Sequence, residues 1–231
     1  MPRKHTHSAL FNKGVLDHFL PMIAMDGWQK ITATRFGRLE ADVYQWIAIS
    51  HDDRGSPQII VEFGVNPLVV RSAFATMAVG GRFWRASHGW KSLRDESAVA
   101  NTVASMCSEW SERVRPWMED VKIPTSYRTA VRAKELRIKG HDAFDVACSY
   151  MGEGQLADSA MWFERAQAEY TDVYRQNPHA KWADEHEKLC QEALREIAAG
   201  SCANLCAEWK EFTYTSLSLE KYFGPFARVE K

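Results

Sequence analysis

Ala41-Asp42-Val43-Tyr44-Gln45-Trp46-Ile47-Ala48-Ile49-Ser50 is the stretch that decides the fold. It is filled with β-branched and aromatic residues, and it alternates. Val43, Gln45, Ile47 and Ile49 point one way, and Tyr44, Trp46, Ala48 and Ser50 the other. Both sets are largely apolar, so the stretch predicts a central strand covered on both faces. The next residues, His51-Asp52-Asp53-Arg54-Gly55-Ser56-Pro57, are dense in turn formers. Gln58 to Phe63 then reads as another strand, with Ile59, Val61 and Phe63 on its buried face. Upstream, Trp28 to Phe36 is rich in Thr, Ile and aromatics, with a turn expected at Gly37-Arg38. Three strands on short connections predict an antiparallel meander.

Outside this centre the period changes. Phe11, Val15 and Phe19 recur every fourth residue, with Leu16, Leu20 and Ile23 beside them, which predicts a helix from Ser8 to Met25. Ser8 is its expected N-cap, Pro21 is expected to kink or end it, and Asp26-Gly27 is a stop signal. Leu68 to Met77 fits strand or helix, Gly80-Gly81 reads as a break, and Arg82 to Trp84 as a short edge strand. From Arg94 onward the pattern is helical. Asp95 to Arg113 carries Val99, Val103, Met106 and Trp110 on one face, and Pro116 ends or bends it. Helices are expected over 126–138, 142–151, 156–174, 180–199 and 202–212, separated by Gly140, Gly152, Gly154, Pro178 and Gly200. The expectation is an α+β protein. An N-terminal helix and an antiparallel sheet with a covering helix occupy 8–122, and an all-helical region follows over 125–223.

Composition narrows the class. The 231 residues are 45% apolar and 26% charged, the balance of a folded globular chain. Residues 151–231 carry 9 Lys and Arg against 14 Asp and Glu, while residues 1–150 carry 20 against 16. This asymmetry is too mild for a nucleic-acid partner, which needs clustered basic charge. The basic side chains of 126–140, Arg128, Arg132, Lys134, Arg137 and Lys139, scatter around a helix and do not form a stripe. Five cysteines in a chain of this size do not suggest a disulfide framework. No run has the ~18–20 apolar residues of a membrane span. Lys13, Asp17 and His18 interrupt the apolar stretch 10–25, so no signal peptide is read there. The expected location is the cytoplasm of a bacterium, or an equivalent reducing compartment.

Two resemblances follow from particular residues. Ala147, Tyr150, Gly154, Ser159, Phe163 and Ala166 sit at the small, aromatic, turn-glycine, small, aromatic and small positions of a tetratricopeptide-type hairpin, which residues 144–166 resemble as a single unit. Residues 8–125 resemble a bacterial family of α+β proteins known only as a domain of unknown function. Gly27-Trp28, Ser50 and Pro116-Trp117 carry that likeness. Ala48-Ile49-Ser50 stands where the family has Gln-Lys-Ser, so no shared polar site is implied at the strand end. The resemblance implies a fold class and a bacterial source, and no catalytic residue.

The sequence has no G-x-x-x-x-G-K-S/T, no G-x-G-x-x-G between a strand and a helix, no G-x-S-x-G and no H-E-x-x-H. His186-x3-Cys190 and Cys202-x3-Cys206 each place two zinc-type ligands on one helical face. A turn at Gly200, however, leaves Cys190 about four residues, or ~6 Å, out of register with the other pair, so no metal or other cofactor is assigned. His51 with Asp52 or Asp53 is a candidate acid/base pair at a strand end, set against a solvated turn of the same composition. Arg82, Trp84, Arg85 and Trp90 form the richest binding composition, because Arg and Trp dominate interface hot spots. The expected function is that of a non-enzymatic interaction protein, adaptor-like or immunity-protein-like, with a protein partner. The alternatives are an enzyme of unrecognised type using His51 and nucleic-acid binding through the basic N-terminal half.

Overall fold

Two helices of the protein widen into π-helical turns, and a strict four-residue repeat in the sequence is the reason. In the computed structural model, which describes residues 4–52, 57–75, 79–84, 89–132 and 140–227, α1 (Lys4–Gly14) passes through a π turn (Val15–Phe19) into α2 (Leu20–Ala24). Phe11, Val15, Phe19 and Ile23 are all buried. In a pure α-helix such a repeat drifts by about 40° per step, and the wider turn takes up that drift. The same device recurs where α3 (Glu96–Glu109) passes through a π turn (Trp110–Val114) into α4 (Arg115–Asp120), keeping Met106, Trp110, Val114 and Met118 buried. Both π turns end two residues before a proline, Pro21 and Pro116. A proline has no N–H and clashes with the carbonyl four residues back. Neither proline ends its helix, because the turn before it is already widened.

The strands are β1 (Gln29–Thr32), β2 (Arg35–Glu40), β3 (Val43–His51), β4 (Gln58–Pro67), β5 (Val79–Arg82) and β6 (Trp90–Ser92). Their order is β1-β2-β3-β4-β5, with β6 also on β4. β1 with β2 and β4 with β6 are antiparallel pairs. β5 and β6 follow one another along the second edge of β4, where Phe83 N–H donates to Val61 O and Ile60 faces Trp90. β3 is central and buried on both faces from Val43 to Ile47, as its sequence predicts.

Two glycine signals are read differently by the fold. The turn expected at Gly37-Arg38 lies instead at 33–34, and Gly37 is inside β2. A side chain there would sit 2.7 Å from the Tyr44 ring, which lies across it. The break expected at Gly80-Gly81 is the middle of β5, and the edge strand expected at 82–84 is displaced to 79–82. A Cβ on Gly80 would come within 2.1 Å of the Phe63 carbonyl oxygen, so this glycine is set by close backbone approach.

Contacts divide the chain into two compact units. The first holds Met1–Glu40, Tyr44–Val65 and Gly80–Asp120, and the second holds Ala41–Val43, Asn66–Val79 and Val121–Lys231. In the first unit, Phe19 meets Phe36, Phe83 and Trp110 edge-on at 6.0–6.4 Å. Arg38 is buried in this unit and has its charge met by polar partners. It donates to Gln45 Oε1, Glu119 Oε1 and the Asp26 carbonyl, and Gln45 donates to Met118 O at 2.7 Å. This accounts for a glutamine in the middle of an apolar strand.

The second unit is helical: α5 (Pro124–Arg132), α6 (His141–Gly152), α7 (Leu156–Gln176), α8 (Lys181–Ala199), α9 (Cys202–Ser216) and α10 (Glu220–Phe223). α5 to α9 pack in chain order. The rest of the helix expected to 138, with Lys134, Arg137 and Lys139, lies outside the described residues. α6 and α7 meet at small residues. Ala147, Ser159 and Ala166 are fully buried, Ser159 Oγ donates to Ala147 O at 2.9 Å, and Gly154 turns the chain at φ +73°. The segment 68–75, for which strand and helix both fit the sequence, is neither. It is held by Thr213, whose Oγ1 donates to Val70 O and accepts from Ser72 N–H, both at 3.1 Å. Mixed α+β architecture with a helical C-terminal region therefore stands. Among the described residues no helix is long and apolar enough to cross a membrane.

Candidate functional site

A crevice of about 560 Å³ runs between α1 and α3 in the first unit. Leu10 and Gly14 line one side, and Val99, Ala100, Val103, Ala104 and Cys107 the other. The two helices touch at its base, where a side chain on Gly14 would meet Val103 Cγ2 at 2.9 Å. Ala100 and Ala104 are one helical turn apart and exposed. Their small side chains leave the space that larger ones would fill. The rim is charged. Lys13 pairs with Asp17, His18 stands beside them, and Glu96 faces them from the start of α3. The π turn begins directly after Gly14. It carries Val15 and Phe19 inward and leaves Leu16, Asp17 and His18 on the outside. π turns are costly relative to α-helix and concentrate at functional sites. A concave apolar floor with a few polar groups around it is the usual form of a binding site. Sequence reasoning misses this crevice. The signal for it is the Ala100-x3-Ala104 pair opposite Gly14.

The segment expected to bind a partner is divided between core and surface. Trp84 is 4% exposed. Its Nε1 donates to Ser105 Oγ at 2.9 Å, its ring meets Phe83, and Lys91 lies over it at 5.4 Å. Arg82 is exposed and pairs with Glu62 at 3.1 Å. Trp90 is 38% exposed on β6. Arg85 lies outside the described residues. Of the acid/base candidates, His51 ends β3, Asp52 N–H donates to Gln58 O at 3.0 Å, and Asp53 lies outside the described residues.

The four residues weighed as metal candidates have other surroundings. His186 turns to an aromatic group. Its Nδ1 lies 2.7 Å from Trp182 O, and its ring stacks on His141 at 5.0 Å. Cys190 is fully buried, and its thiol interacts with that of Cys148. Cys202 and Cys206 lie one turn apart at the start of the helix Cys202–Ser216, and Cys206 Sγ donates to Met151 O at 3.6 Å. Among the described residues no group of three or more His, Cys, Asp or Glu could hold a metal ion. All five cysteines are free thiols.

The second unit also buries a polar group that the sequence does not reveal. Asp145, 7% exposed, accepts a hydrogen bond from Tyr127 OH at 2.7 Å. Burial pushes its carboxyl up to about 7 against the lowering effect of that hydrogen bond. One turn earlier, His141 Nδ1 lies 3.1 Å from Tyr170 OH. Burial, with the neighbouring His186, holds its imidazole down to about 4. The His141 ring packs edge-on against Tyr170 and Trp182, so its titration is coupled to the packing of this unit.

No protein-family model, no curated protein and no solved structure matches the chain.

Proposed function

We propose that the protein is a non-enzymatic interaction protein that receives an amphipathic helix of a protein partner in the crevice between α1 and α3. The observation that supports the reading is the crevice itself: an apolar floor of Leu10, Val99 and Val103 opened by the small residues Gly14, Ala100 and Ala104, with both signs of charge on its rim. A helix-in-groove interface needs this form, since apolar anchors at successive turns enter the floor while polar flanks meet the rim. α3 spans 14 residues, about 21 Å, enough for three turns of an occupant. An adaptor- or immunity-type role is in keeping with the helical hairpins of the second unit, and a bacterial origin with the resemblance of residues 8–125.

The test is a pair of exposed substitutions in the same unit. Ala104→Arg places a long cation on the groove wall, and Met25→Arg alters a residue that is 82% exposed and outside it. The expected result is that Ala104→Arg weakens a partner found by affinity capture by about tenfold or more, equivalent to at least ~1.4 kcal/mol. Met25→Arg binds as the unaltered protein does, and both variants melt at its temperature. Full binding by a folded Ala104→Arg protein overturns the groove reading.

A further inference from the structure

Phe74 is the most exposed aromatic side chain among the described residues, at 74%, and the backbone beneath it is pinned. The Ser72 hydroxyl donates to Phe74 O at 2.7 Å and accepts from Phe74 N–H at 3.3 Å. Ser72 N–H in turn donates to Thr213 Oγ1 at 3.1 Å. The residues preceding these two also meet. The Arg71 guanidinium lies over the Phe212 ring, with Cζ 4.0 Å from the ring centroid. Phe212 is itself exposed, and both chain segments belong to the second unit. Phe74, Arg71 and Phe212 therefore fall in one neighbourhood of its surface. An aromatic ring carried on a pinned turn loses little backbone freedom when a partner covers it. Aromatic residues and Arg are also the types enriched at protein interfaces.

The charge of Arg71 defines what the partner brings. The N–H donors of a guanidinium lie in its plane, so the Phe212 ring beneath its face occupies none of them and holds the fork still. Arg71 has no ion pair among the described residues. A carboxylate meets such a fork with two parallel hydrogen bonds. A nucleic acid would bring a run of phosphates instead, to a part of the chain where residues 151–231 carry 9 Lys and Arg against 14 Asp and Glu. That balance repels a polyanion. An acidic side chain next to an apolar one brings one charge to Arg71 and one apolar group to Phe74.

We propose that Arg71, Phe74 and Phe212 form a docking surface for a peptide segment of a protein partner in which an acidic residue stands beside a large apolar one. The acidic side chain pairs with Arg71, and the apolar one covers Phe74. The surface does not depend on the crevice between α1 and α3.

The experiment selects random-sequence peptides displayed on phage against the full chain and discards those that also bind Phe74→Ala. The remainder are synthesised and measured by fluorescence anisotropy. The expected result is that they carry Asp or Glu beside Leu, Phe or Trp. Arg71→Glu should weaken them by about tenfold or more, and replacing the peptide acid by Lys should restore binding to that variant. Met161→Ala, an exposed position elsewhere in the same unit, should bind as the unaltered protein does. Phe74→Ala removes an exposed ring and should leave the melting temperature unchanged, so its effect is read on a folded protein. The composition of the retained peptides tests the proposal even if Arg71→Glu fails to fold. The proposal is overturned if no peptide distinguishes Phe74→Ala, or if the retained peptides lack acidic residues. Displacement of those peptides by single-stranded oligouridylate would overturn it equally, by assigning the surface to nucleic acid.

Discussion

Asp145→Asn raises the stability of the protein at pH 8 by up to about 4 kcal/mol, since each pH unit between folded and unfolded values corresponds to ~1.36 kcal/mol. The folded state holds this carboxyl at about 7 against an ordinary value of 3.8. The sign follows from proton linkage. Between pH 3.8 and 7 the folded chain holds a proton that the unfolded chain has lost, so stability falls as pH rises through this range and levels off above it. Asparagine keeps the acceptor for Tyr127 OH and carries no charge to desolvate. The advantage of the variant should therefore vanish near pH 4 and be complete at about pH 8. Chemical denaturation midpoints of both proteins at these two pH values measure it. Equal stability differences at the acidic and the basic pH would show that Asp145 is not held protonated.

His141 acts in the opposite direction over nearly the same range. Its folded value of about 4 lies below the ordinary 6.5, so the folded chain resists taking up its proton. Its contribution is present above pH 6.5 and is lost as pH falls toward 4. In the unaltered protein the two groups offset one another, and stability should change little between about pH 4 and 7. In Asp145→Asn the histidine is left uncompensated, and stability should fall on acidification. A pH series on that variant measures this directly.

Gly80→Ala destabilises the protein by about 3 kcal/mol or more, the range reached when overpacking cannot be relieved by side-chain movement. The added methyl would stand 2.1 Å from the Phe63 carbonyl oxygen and 2.7 Å from Gly64 Cα. Both are backbone atoms of the neighbouring strand, so β5 would have to leave β4. Gly81→Ala is the matched control. Its methyl would meet the far edge of the Phe63 ring at 3.2 Å, and a small ring shift relieves that contact. Thermal or urea melts of the two variants should differ clearly. Similar stabilities would mean that Gly80 is not held against the Phe63 backbone.

Gly80 also marks where the sequence stops being legible. β3 is readable because both of its faces are apolar, a property of one segment alone. The helices at 156–176 and 181–199 are readable from their period and from Gly200 and Pro178. Gly37 and Gly80 look like turn signals and are not. The reason each is glycine lies in a neighbour brought by folding: the Tyr44 ring for Gly37 and the Phe63 carbonyl for Gly80. The every-fourth spacing of Phe11, Val15 and Phe19 is visible, but not its consequence, a π turn ahead of Pro21. In the candidate site the difficulty is similar. Ala100 and Ala104 look like ordinary helix formers until α1 lies opposite them at Gly14. Trp84 reads as a surface anchor until its Nε1 finds Ser105. Asp145 sits between Phe144 and Val146 in the sequence, but its burial depends on Tyr127 from another helix.

The grip of Thr213 on Val70 and Ser72 sets an order of events during synthesis. The two partners are 143 and 141 residues away in the chain. A ribosome adding ~5–20 residues per second needs roughly 7–30 s to bridge that interval. Throughout it, Leu68, Val69 and Val70, all buried in the finished protein, wait without the helix that will hold them. The nascent chain thus has a defined window of vulnerability. Holding chaperones that act during translation should matter more for its yield than those that act after release.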